Sequence, residues 1–333
     1  MLTAYDAALF DLDGVLYVGA APVPHAAAAV HAAREAGMRV AFVTNNASRR
    51  PDVVAEQLTS LDIPARPDEV VTSAQAAARL VAARVPPGAA VLVLGTPALA
   101  DEITEAGLRP VRTVAEAGED GVAAVVQGLS PQTCHQDLTE ATVALRAGAL
   151  WVAANTDTTL PSPQGPMPGN GTFVAALRLV TRLEPLVAGK PDPALHRESV
   201  QRVGAQRPLV IGDRLDTDVL GAVRGGADSL LVLTGVADRA ALLGAPAGSR
   251  PTYVSTDLRG LLEPHPETVV DGKVARCGAV TATYEDGAIR LDPPPDDAAG
   301  DDAARDDAAR DDGLRAQVAL AWAGADAGWP LSS

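Results

Sequence analysis

Three aspartates stand at positions where buried strands are expected to end. Asp11 and Asp13 follow the apolar run ALF, and Asp213 follows the apolar run LVI. Removing carboxylates from water without a partner is costly, so a divalent cation or a basic group is expected between or beside them. Asp213 adds a further oxygen of the kind that a hard cation such as Mg²⁺ prefers. The three residues therefore predict a Mg²⁺ site.

The D-x-D pair of Asp11 and Asp13 is a weak signal on its own, because paired aspartates also occur in turns, helix caps and calcium loops. A calcium loop is excluded here. Counting from Asp11, the fifth position is Val15, and the twelfth is Pro22 rather than the glutamate that such a loop requires.

Other polar residues occur in similar settings but have ordinary structural explanations when taken singly. Thr44 follows the apolar run VAFV, and together with Asn45 it is typical of a helix cap or turn. Lys190, in the segment AGKPD, is typical of a surface charge. Asp216 and Asp218 could cap the helix that follows them. Only the ordered combination with the three aspartates favours a functional site.

The elements around these residues predict an α/β fold with a Rossmann-like, doubly wound parallel sheet as its core. An Ala-rich helix over 24–37 and a strand over 40–43 complete a βαβ unit after the first strand. Polar residues that follow parallel strands collect at the carboxyl edge of the sheet, where open α/β sheets bind ligands. Because Lys190 lies 146 positions after Thr44, the intervening chain is better explained as an inserted domain than as a loop.

The same pattern predicts the domain organisation, with a core that is discontinuous in sequence. Strand-like runs at 91–95, 122–128 and 150–155 belong to the insertion, and an EDG turn at 285–287 indicates a later hairpin. The predicted parts are a core over 1–84 and 186–265, an inserted α/β cap over 85–185, a hairpin extension over 266–291, a disordered acidic Asp/Ala linker over 292–312, and a C-terminal helix over 313–333.

Composition excludes several classes of protein. Of the net charge of −15, seven charges arise in residues 292–312, which hold nine Asp against two Arg, so the rest is only mildly acidic and no nucleic-acid partner is expected. Cys134 and Cys277 form neither a disulfide framework nor a metal pair, which favours a reducing interior.

We expect a cytoplasmic protein without a membrane partner, since Asp6 and Asp11 interrupt any leader and no apolar run could span a bilayer. P-loop, zinc-protease, GxSxG and dinucleotide signatures are also absent.

In order along the chain, the segments FDLDGV, FVTNN, AGKPD and VIGDRLDTD resemble the four signature motifs of the haloacid dehalogenase-like phosphatase superfamily. The resemblance implies a phosphoric monoester hydrolase. It makes Asp11 the nucleophile that becomes an aspartyl phosphate, and Asp13 the general acid that protonates the leaving oxygen and later activates water. It places Mg²⁺ on Asp11, the main-chain carbonyl of Asp13 and Asp213, with Asp218 as a supporting carboxylate.

The resemblance also assigns the substrate contacts. Thr44 and Lys190 would hold phosphate oxygens, assisted by the backbone around Asn45. In this family the cap contributes a specificity loop, and the segment from Asn155 to Pro161 matches it best, with Asn155 and Asp157 as candidate contacts to the organic part of the substrate. We hypothesise that Asp157 favours a hydroxyl-bearing leaving group, because a carboxylate accepts hydrogen bonds from hydroxyls and repels a second anion. An Asx-turn that ends a strand is an equal alternative for this segment.

A closer resemblance rests on the inserted domain together with the segments DLDGVLYVG, FVTNNAS, TSAQ, AANTDTTLP, PGNGT, GKPDP and GDRLDTD. From Ala7 to Leu262 these features are most similar to the type-2-capped, p-nitrophenylphosphatase-like group (subfamily IIA), and within it to bacterial glycerol 3-phosphate phosphatases. The substrate implied is glycerol 3-phosphate. Phosphoglycolate, nucleotides and sugar phosphates are alternatives within the group, and a phosphomutase or a non-catalytic phosphate-sensing module are alternatives outside it. Capped phosphatases of this type commonly pair through their caps, so the resemblance also suggests a homodimer.

Overall fold

The computed structural model describes residues 1–160, 165, 167–292 and 303–329. The chain divides into two compact units. The first combines Met1–Val40 with Ala205–Ser333, and the second is Ala41–Gly204.

The strands in the described part of the chain are, in order, β1 (Ala7–Phe10), β2 (Tyr17–Val18), β3 (Ala21–Pro22), β4 (Arg39–Thr44), β5 (Val70–Thr72), β6 (Ala90–Leu94), β7 (Arg109–Val111), β8 (Ala124–Gln127), β9 (Leu150–Ala153), β10 (Thr159–Leu160), β11 (Met167–Pro168), β12 (Leu186–Val187), β13 (Pro208–Gly212), β14 (Asp228–Val232), β15 (Tyr253–Ser255), β16 (Val269–Asp271), β17 (Val274–Cys277), β18 (Val280–Glu285) and β19 (Ala288–Asp292).

The α-helices in the same part are α1 (Ala26–Glu35), α2 (Pro51–Ser60), α3 (Ser73–Ala82), α4 (Pro97–Glu105), α5 (His135–Arg146), α6 (Asn170–Thr181), α7 (Pro193–Val203), α8 (Leu220–Gly225), α9 (Arg239–Leu243) and α10 (Ala303–Asp326). None of these helices is long and apolar enough to cross a membrane.

Parallel strands form the centre of the first unit, in the order β15-β14-β13-β1. Their side chains are almost entirely buried, as expected for apolar runs in a covered parallel sheet. In the register, Phe10 lies opposite Ile211, so β1 and β13 end side by side. This arrangement confirms the α/β class with a parallel sheet.

The second unit contains a five-stranded parallel sheet in the order β12-β9-β8-β6-β7. Its core is an apolar cluster contributed by the strands and by α5 and α6, with Trp151 as its largest member. The sheet includes Leu186–Val187, which pairs with β9 and lies just beyond the end predicted for the cap at residue 185. Strands β4 and β5 also pair in parallel, with Thr44 opposite Thr72 at their ends. The domain boundaries themselves stay a prediction.

A C-terminal extension of the first unit carries an antiparallel sheet in the order β16-β17-β18-β19. The hairpin that the EDG turn predicts lies between β18 and β19, where Glu285 faces Ala288 across the turn. Strands β16 and β17 also lie within the extension predicted over 266–291, but a single hairpin does not account for them as separate strands. Helix α10 packs on this sheet, and residues such as Tyr284 and Leu320 fill the core between them.

The prediction of a disordered linker over 292–312 is wrong for residues 303–312, because α10 begins at Ala303 rather than at residue 313. The physical reason lies in tertiary contacts of the repeat. The Asp311 carboxylate accepts hydrogen bonds from the Ser255 hydroxyl and from the Thr256 N–H at 3.0 Å. Residues 293–302 of the predicted linker lie outside the described residues.

Candidate functional site

Asp11 and Asp213 lie at the carboxyl ends of two neighbouring parallel strands. Asp11 follows β1, and its N–H donates to the carbonyl of Ile211 in β13 at 2.8 Å. Asp213 is the first residue after β13. Because the strands end together, the sheet brings both side chains to the same edge, as the sequence pattern predicts.

Asp218 joins these two residues. It sits in the single turn of π-helix Leu215–Val219 that follows β13. One carboxylate oxygen from each of Asp11, Asp213 and Asp218 can be chosen so that all three lie within 4.8 Å of one another. Asp213 and Asp218 are almost fully buried, whereas Asp11 is half-buried and Asp13 is exposed on the loop beyond it. We call the three carboxylates of Asp11, Asp213 and Asp218 the acidic group. The side chain of Asp13 is not part of it.

The space around Asp213 is shaped by two glycines. Gly14 has a φ of +87°, and a Cβ at either Gly14 or Gly235 would collide with Asp213 Oδ2. The same oxygen accepts a hydrogen bond from the Val236 N–H at 2.6 Å, and the Ala237 N–H donates to the Asp213 carbonyl at 2.9 Å. The carboxylate is therefore held in one orientation by backbone that only glycine allows to approach so closely.

The donor set of this acidic group fits a hard divalent cation. Mg²⁺ takes oxygen ligands and is bound in proteins through one or a few carboxylates, while several of its positions remain for water or substrate. Three carboxylates gathered at a buried strand end repel one another, and a cation between them would offset that repulsion. Asp11, Asp213 and Asp218 are thus the residues that could hold Mg²⁺.

Asp216 has a different place from its neighbours. Its carboxylate pairs with the guanidinium of Arg214 at 2.8 Å on the surface. Burial of part of the group would raise its pKa, but the hydrogen bonds and charge of Arg214 outweigh burial and hold the pKa of Asp216 below its ordinary value. Asp216 therefore pairs with an arginine and lies outside the acidic group.

In the second unit, Asn45 links residues that are far apart in sequence. Its side-chain oxygen accepts from the Lys190 N–H at 2.8 Å, and its Nδ2 donates to the Lys190 carbonyl at 3.1 Å. Lys190 is buried, and its Nζ donates to the carbonyl of Val43 at 3.3 Å. Asn45 therefore fixes the main chain at Lys190 from both sides of the residue.

The predicted cap residues belong to the same hydrogen-bonded group. Nδ2 of Asn45 lies 3.2 and 3.4 Å from the two carboxylate oxygens of Asp157, and Nδ2 of Asn155 donates to the Asn45 carbonyl at 2.7 Å. The Asp157 N–H donates to the side-chain oxygen of Asn155 at 3.2 Å, which is the Asx-turn that stood as the alternative. Asn155 is thus engaged through both side-chain atoms. Pro161, the end of the predicted segment, lies outside the described residues.

Two residues of this group carry little signal in the sequence. The Ser73 hydroxyl donates to the Asn45 carbonyl at 2.5 Å, and the Asn46 N–H donates to Thr44 Oγ1 at 3.1 Å. Ser73 stands in the segment TSAQ, which resembles the family without revealing a contact partner. In the first unit, sequence reasoning also missed Gly235 and Val236. Gly235 acts through the absence of a side chain, and Val236 acts through its main-chain N–H.

The predicted site residues therefore form two groups, each within its own unit. The first contains Asp11, Asp213 and Asp218, with Asp13 nearby in sequence. The second is a network centred on Asn45, whose other predicted members are Thr44, Asn155, Asp157 and Lys190.

Comparisons with known proteins identify the family of this chain. Residues 8–109 match the model for the haloacid dehalogenase-like hydrolases, and residues 187–261 match a second model described as HAD-hydrolase-like. The chain is 51% identical to the D-glycerol 3-phosphate phosphatase of Mycobacterium tuberculosis, over 77% of this chain and 71% of that protein. It is 35% identical to the acid sugar phosphatase of Staphylococcus aureus, over 70% and 88% of the two chains.

Solved structures are similar over comparable or greater lengths. The crystal structure of a glycerol phosphate phosphatase from M. tuberculosis in complex with magnesium has a TM-score of 0.80 and 42% identity, and the match covers 97% of this chain and 92% of that one. A p-nitrophenyl phosphatase from Archaeoglobus fulgidus has a TM-score of 0.71 and 31% identity, over 78% and 98%. These findings confirm the family resemblance and the Rossmann-like fold class, and the chain belongs to the haloacid dehalogenase-like hydrolases.

Proposed function

We propose that the protein is a Mg²⁺-dependent phosphatase that hydrolyses glycerol 3-phosphate to glycerol and phosphate. The observation that carries this proposal is the convergence of Asp11, Asp213 and Asp218 within 4.8 Å at the carboxyl edge of the sheet. The identity of 51% to a D-glycerol 3-phosphate phosphatase supports the choice of substrate.

Mg²⁺ would be held by the carboxylates of Asp11 and Asp213 and by the main-chain carbonyl of Asp13, with Asp218 as a supporting carboxylate. When bound, the ion supplies positive charge that offsets the repulsion between a carboxylate nucleophile and an anionic phosphate ester. The acidic group and the glycine-lined space around Asp213 support this assignment.

Asp11 and Asp13 divide the chemistry between them. The Asp11 carboxylate attacks phosphorus, the bond from phosphorus to the glycerol oxygen breaks, and an aspartyl phosphate forms on Asp11. Asp13 gives its proton to the departing glycerol oxygen. In the second step of the reaction, Asp13 takes a proton from water, and this water attacks the aspartyl phosphate and releases phosphate. The exposed loop position of Asp13 is compatible with a group that exchanges protons with substrate and solvent.

Thr44 and Lys190 hold phosphate oxygens in this proposal, and the backbone around Asn45 assists them. A lysine ammonium offsets charge on the transferred phosphoryl group, which gains importance as the bond to the leaving oxygen weakens. Two hydrogen bonds between Asn45 and the Lys190 main chain support this role, because they fix the backbone from which the lysine side chain extends.

Specificity for a hydroxyl-bearing leaving group is assigned to Asp157, with Asn155 as its support. A carboxylate accepts hydrogen bonds from the glycerol hydroxyls and disfavours a second anionic group such as the carboxylate of phosphoglycolate. A sugar phosphate is the second candidate substrate, because the chain is 35% identical to an acid sugar phosphatase. Nucleotides and phosphoglycolate remain alternatives to be compared in the same assay.

The proposal includes the cellular and structural setting. The enzyme acts in the cytoplasm and has neither a nucleic-acid nor a membrane partner. It has a discontinuous core over 1–84 and 186–265 and a cap over 85–185, and it forms a homodimer through the cap. The two thiols, Cys134 and Cys277, are free, in keeping with a reducing compartment.

A substrate panel with and without Mg²⁺ tests this function. Phosphate release from glycerol 3-phosphate, phosphoglycolate, a nucleoside monophosphate, a sugar phosphate and p-nitrophenyl phosphate is measured in metal-free buffer and at saturating Mg²⁺. We expect the highest kcat/KM for glycerol 3-phosphate and no turnover without metal. A panel without any turnover would favour the phosphate-sensing module, and an isomerised ester in place of free phosphate would favour a mutase.

A further inference from the structure

Helix α10 of the C-terminal extension has two buried faces that enter different clusters. Ala316 and Leu320 pack with the four-stranded antiparallel sheet. Leu314 and Val318 belong instead to a cluster in the parallel-sheet part of the same unit, together with Val219, Leu231, Ala237, Leu242 and Val254. We name this second set the core-facing cluster. The extension thus continues the apolar core that surrounds the parallel strands.

The core-facing cluster includes residues next to both buried carboxylates of the acidic group. Val219 directly follows Asp218, and Leu215 at the start of the same turn packs against the cluster. Ala237, another member, donates its N–H to the carbonyl of Asp213. Val236, its neighbour in sequence, donates to the Asp213 carboxylate. The two segments that orient these carboxylates are therefore anchored in the cluster that α10 helps to fill.

Polar contacts fix α10 to the segment that follows Ala237. The indole N–H of Trp322 donates to the carbonyl of Leu242 in α9 at 3.0 Å. The Arg239 side chain, at the start of α9, donates to the side-chain oxygen of Gln317. Helix α9 begins two residues after Ala237, so α10 holds the short helix that continues directly from the backbone around Asp213.

We propose that α10 is a positioning element for the candidate metal centre, which it stabilises by holding the segments 215–219 and 233–243 in place. The inference rests on the proposed function, since it presumes that Asp213 and Asp218 serve Mg²⁺. Without the helix, these segments would keep conformational freedom that metal binding must then remove, and the loss of entropy would weaken the affinity for Mg²⁺. Leu314 and Val318 act through other residues and touch no substrate.

A matched pair of substitutions in the same helix tests this role. Leu314→Ala and Leu320→Ala remove the same atoms from two buried positions, but only Leu314 faces the core. Both should lower the Tm, because both leave space in an apolar cluster. Mg²⁺ binding to the metal-free full chain is measured by calorimetry, and the Mg²⁺ concentration for half-maximal hydrolysis is measured alongside.

We expect Leu314→Ala to weaken Mg²⁺ binding about three- to tenfold, below the roughly 10–100-fold typical of losing a direct partner of a metal ligand. Leu320→Ala should remain within about twofold of the wild type, since Leu320 packs in the cluster of the antiparallel sheet rather than in the core-facing cluster. Equal Mg²⁺ affinities in the two variants would overturn the inference while the wild type still binds Mg²⁺ and turns over substrate. A wild type that does neither contradicts the proposed function itself.

A second pair covers the case in which Leu314→Ala fails to fold. Trp322→Phe keeps an aromatic ring and removes the hydrogen bond to Leu242, whereas Trp329→Phe makes the same change at a ring that packs near Tyr284 at a centroid distance of 4.9 Å. The first should raise the Mg²⁺ concentration for half-maximal activity by at least about twofold, and the second should leave it unchanged. The reverse order, or no difference, would overturn the inference.

Discussion

Asn45 donates its side-chain amide to the carboxylate of Asp157, with Nδ2 3.2 Å from one oxygen and 3.4 Å from the other. The same amide group binds the main chain of Lys190 through both its oxygen and its nitrogen. One side chain therefore connects the segment proposed for substrate specificity with the lysine proposed for phosphate. A substrate that moves Asp157 would also act on the amide that binds the Lys190 main chain.

Asp157→Asn tests the assignment of specificity to this carboxylate. The amide retains an oxygen that can accept from Asn45, but it loses the negative charge that disfavours an anionic leaving group. We expect the ratio of kcat/KM for phosphoglycolate to kcat/KM for glycerol 3-phosphate to rise about tenfold, which corresponds to about 1.4 kcal/mol of lost repulsion. Initial rates with both esters measure that ratio.

The control for this experiment is Asp120→Asn, which removes one negative charge from an exposed position of the same unit. It should leave the ratio at the wild-type value. If both variants shift the ratio equally, the effect is one of net charge, and Asp157 has no special role. An unchanged ratio in Asp157→Asn would leave it with only the structural role visible in its contact with Asn45.

Gly235→Ala tests whether the space around Asp213 must stay free of side chains. The added Cβ would collide with Asp213 Oδ2, so the carboxylate or the loop has to move. We expect Mg²⁺ affinity to fall by at least about tenfold, as for the loss of a partner that orients a metal ligand. Gly248→Ala is the matched control, because a Cβ there meets no atom within 4 Å. Wild-type affinity in Gly235→Ala would contradict the assignment of Asp213 to the metal.

Glu102 in α4 predicts a pH dependence of stability that is independent of the chemistry. Burial raises its pKa from the ordinary 4.5 to about 7, and the nearby charge of Glu105 adds to the shift. Because the folded state favours the protonated acid, its contribution to stability is complete below pH 4.5 and is lost as the pH rises through 7. Glu102→Gln stays neutral and should be more stable than the wild type at pH 8, by on the order of 1 kcal/mol after allowing for solvent screening.

Thermal unfolding of Glu102→Gln and the wild type across this pH range measures the difference. The gap in Tm should open between pH 5 and pH 8. Glu119→Gln, at an exposed position of the same unit, serves as the control and should follow the wild type at every pH. A constant gap in Tm between pH 5 and pH 8 would show that burial leaves the titration of Glu102 unaltered.

The parts of the fold that sequence patterns predict are those with local signals. Strands such as β1 and β13 are continuous apolar runs that end at a polar residue, and both follow the pattern of a covered parallel sheet. The start of α10 has no such signal. Its first residues belong to a polar Asp/Ala repeat, and Asp311 is fixed by Ser255 and Thr256, more than fifty residues away. Tertiary contacts of this kind override local composition.

The residues of the candidate site likewise divide into those that the sequence identifies and those that it does not. Asp11 and Asp213 could be identified because carboxylates at strand ends carry a physical requirement for charge compensation, whereas Asp218 followed only from the family resemblance. Gly235 and Val236 could not, because nearly every residue has a main-chain N–H, and a glycine in a sequence does not reveal which side chain approaches it. The Asx-turn at Asn155 was open for a related reason: an amide can bind its own backbone or a substrate, and sequence alone does not distinguish the two.

The central claim is that Asp11 becomes phosphorylated beside a Mg²⁺ site built on Asp213. Acid quenching during turnover of glycerol 3-phosphate, followed by peptide mass spectrometry, tests it most directly in the wild type, Asp11→Asn and Asp213→Asn. The account predicts a phosphorylated peptide containing Asp11 in the wild type with Mg²⁺, none in Asp11→Asn, and hydrolysis reduced about 10³-fold or more in that variant. In Asp213→Asn the label should require at least about tenfold more Mg²⁺. Hydrolysis that persists in Asp11→Asn, or a label that forms without Mg²⁺, would contradict the account.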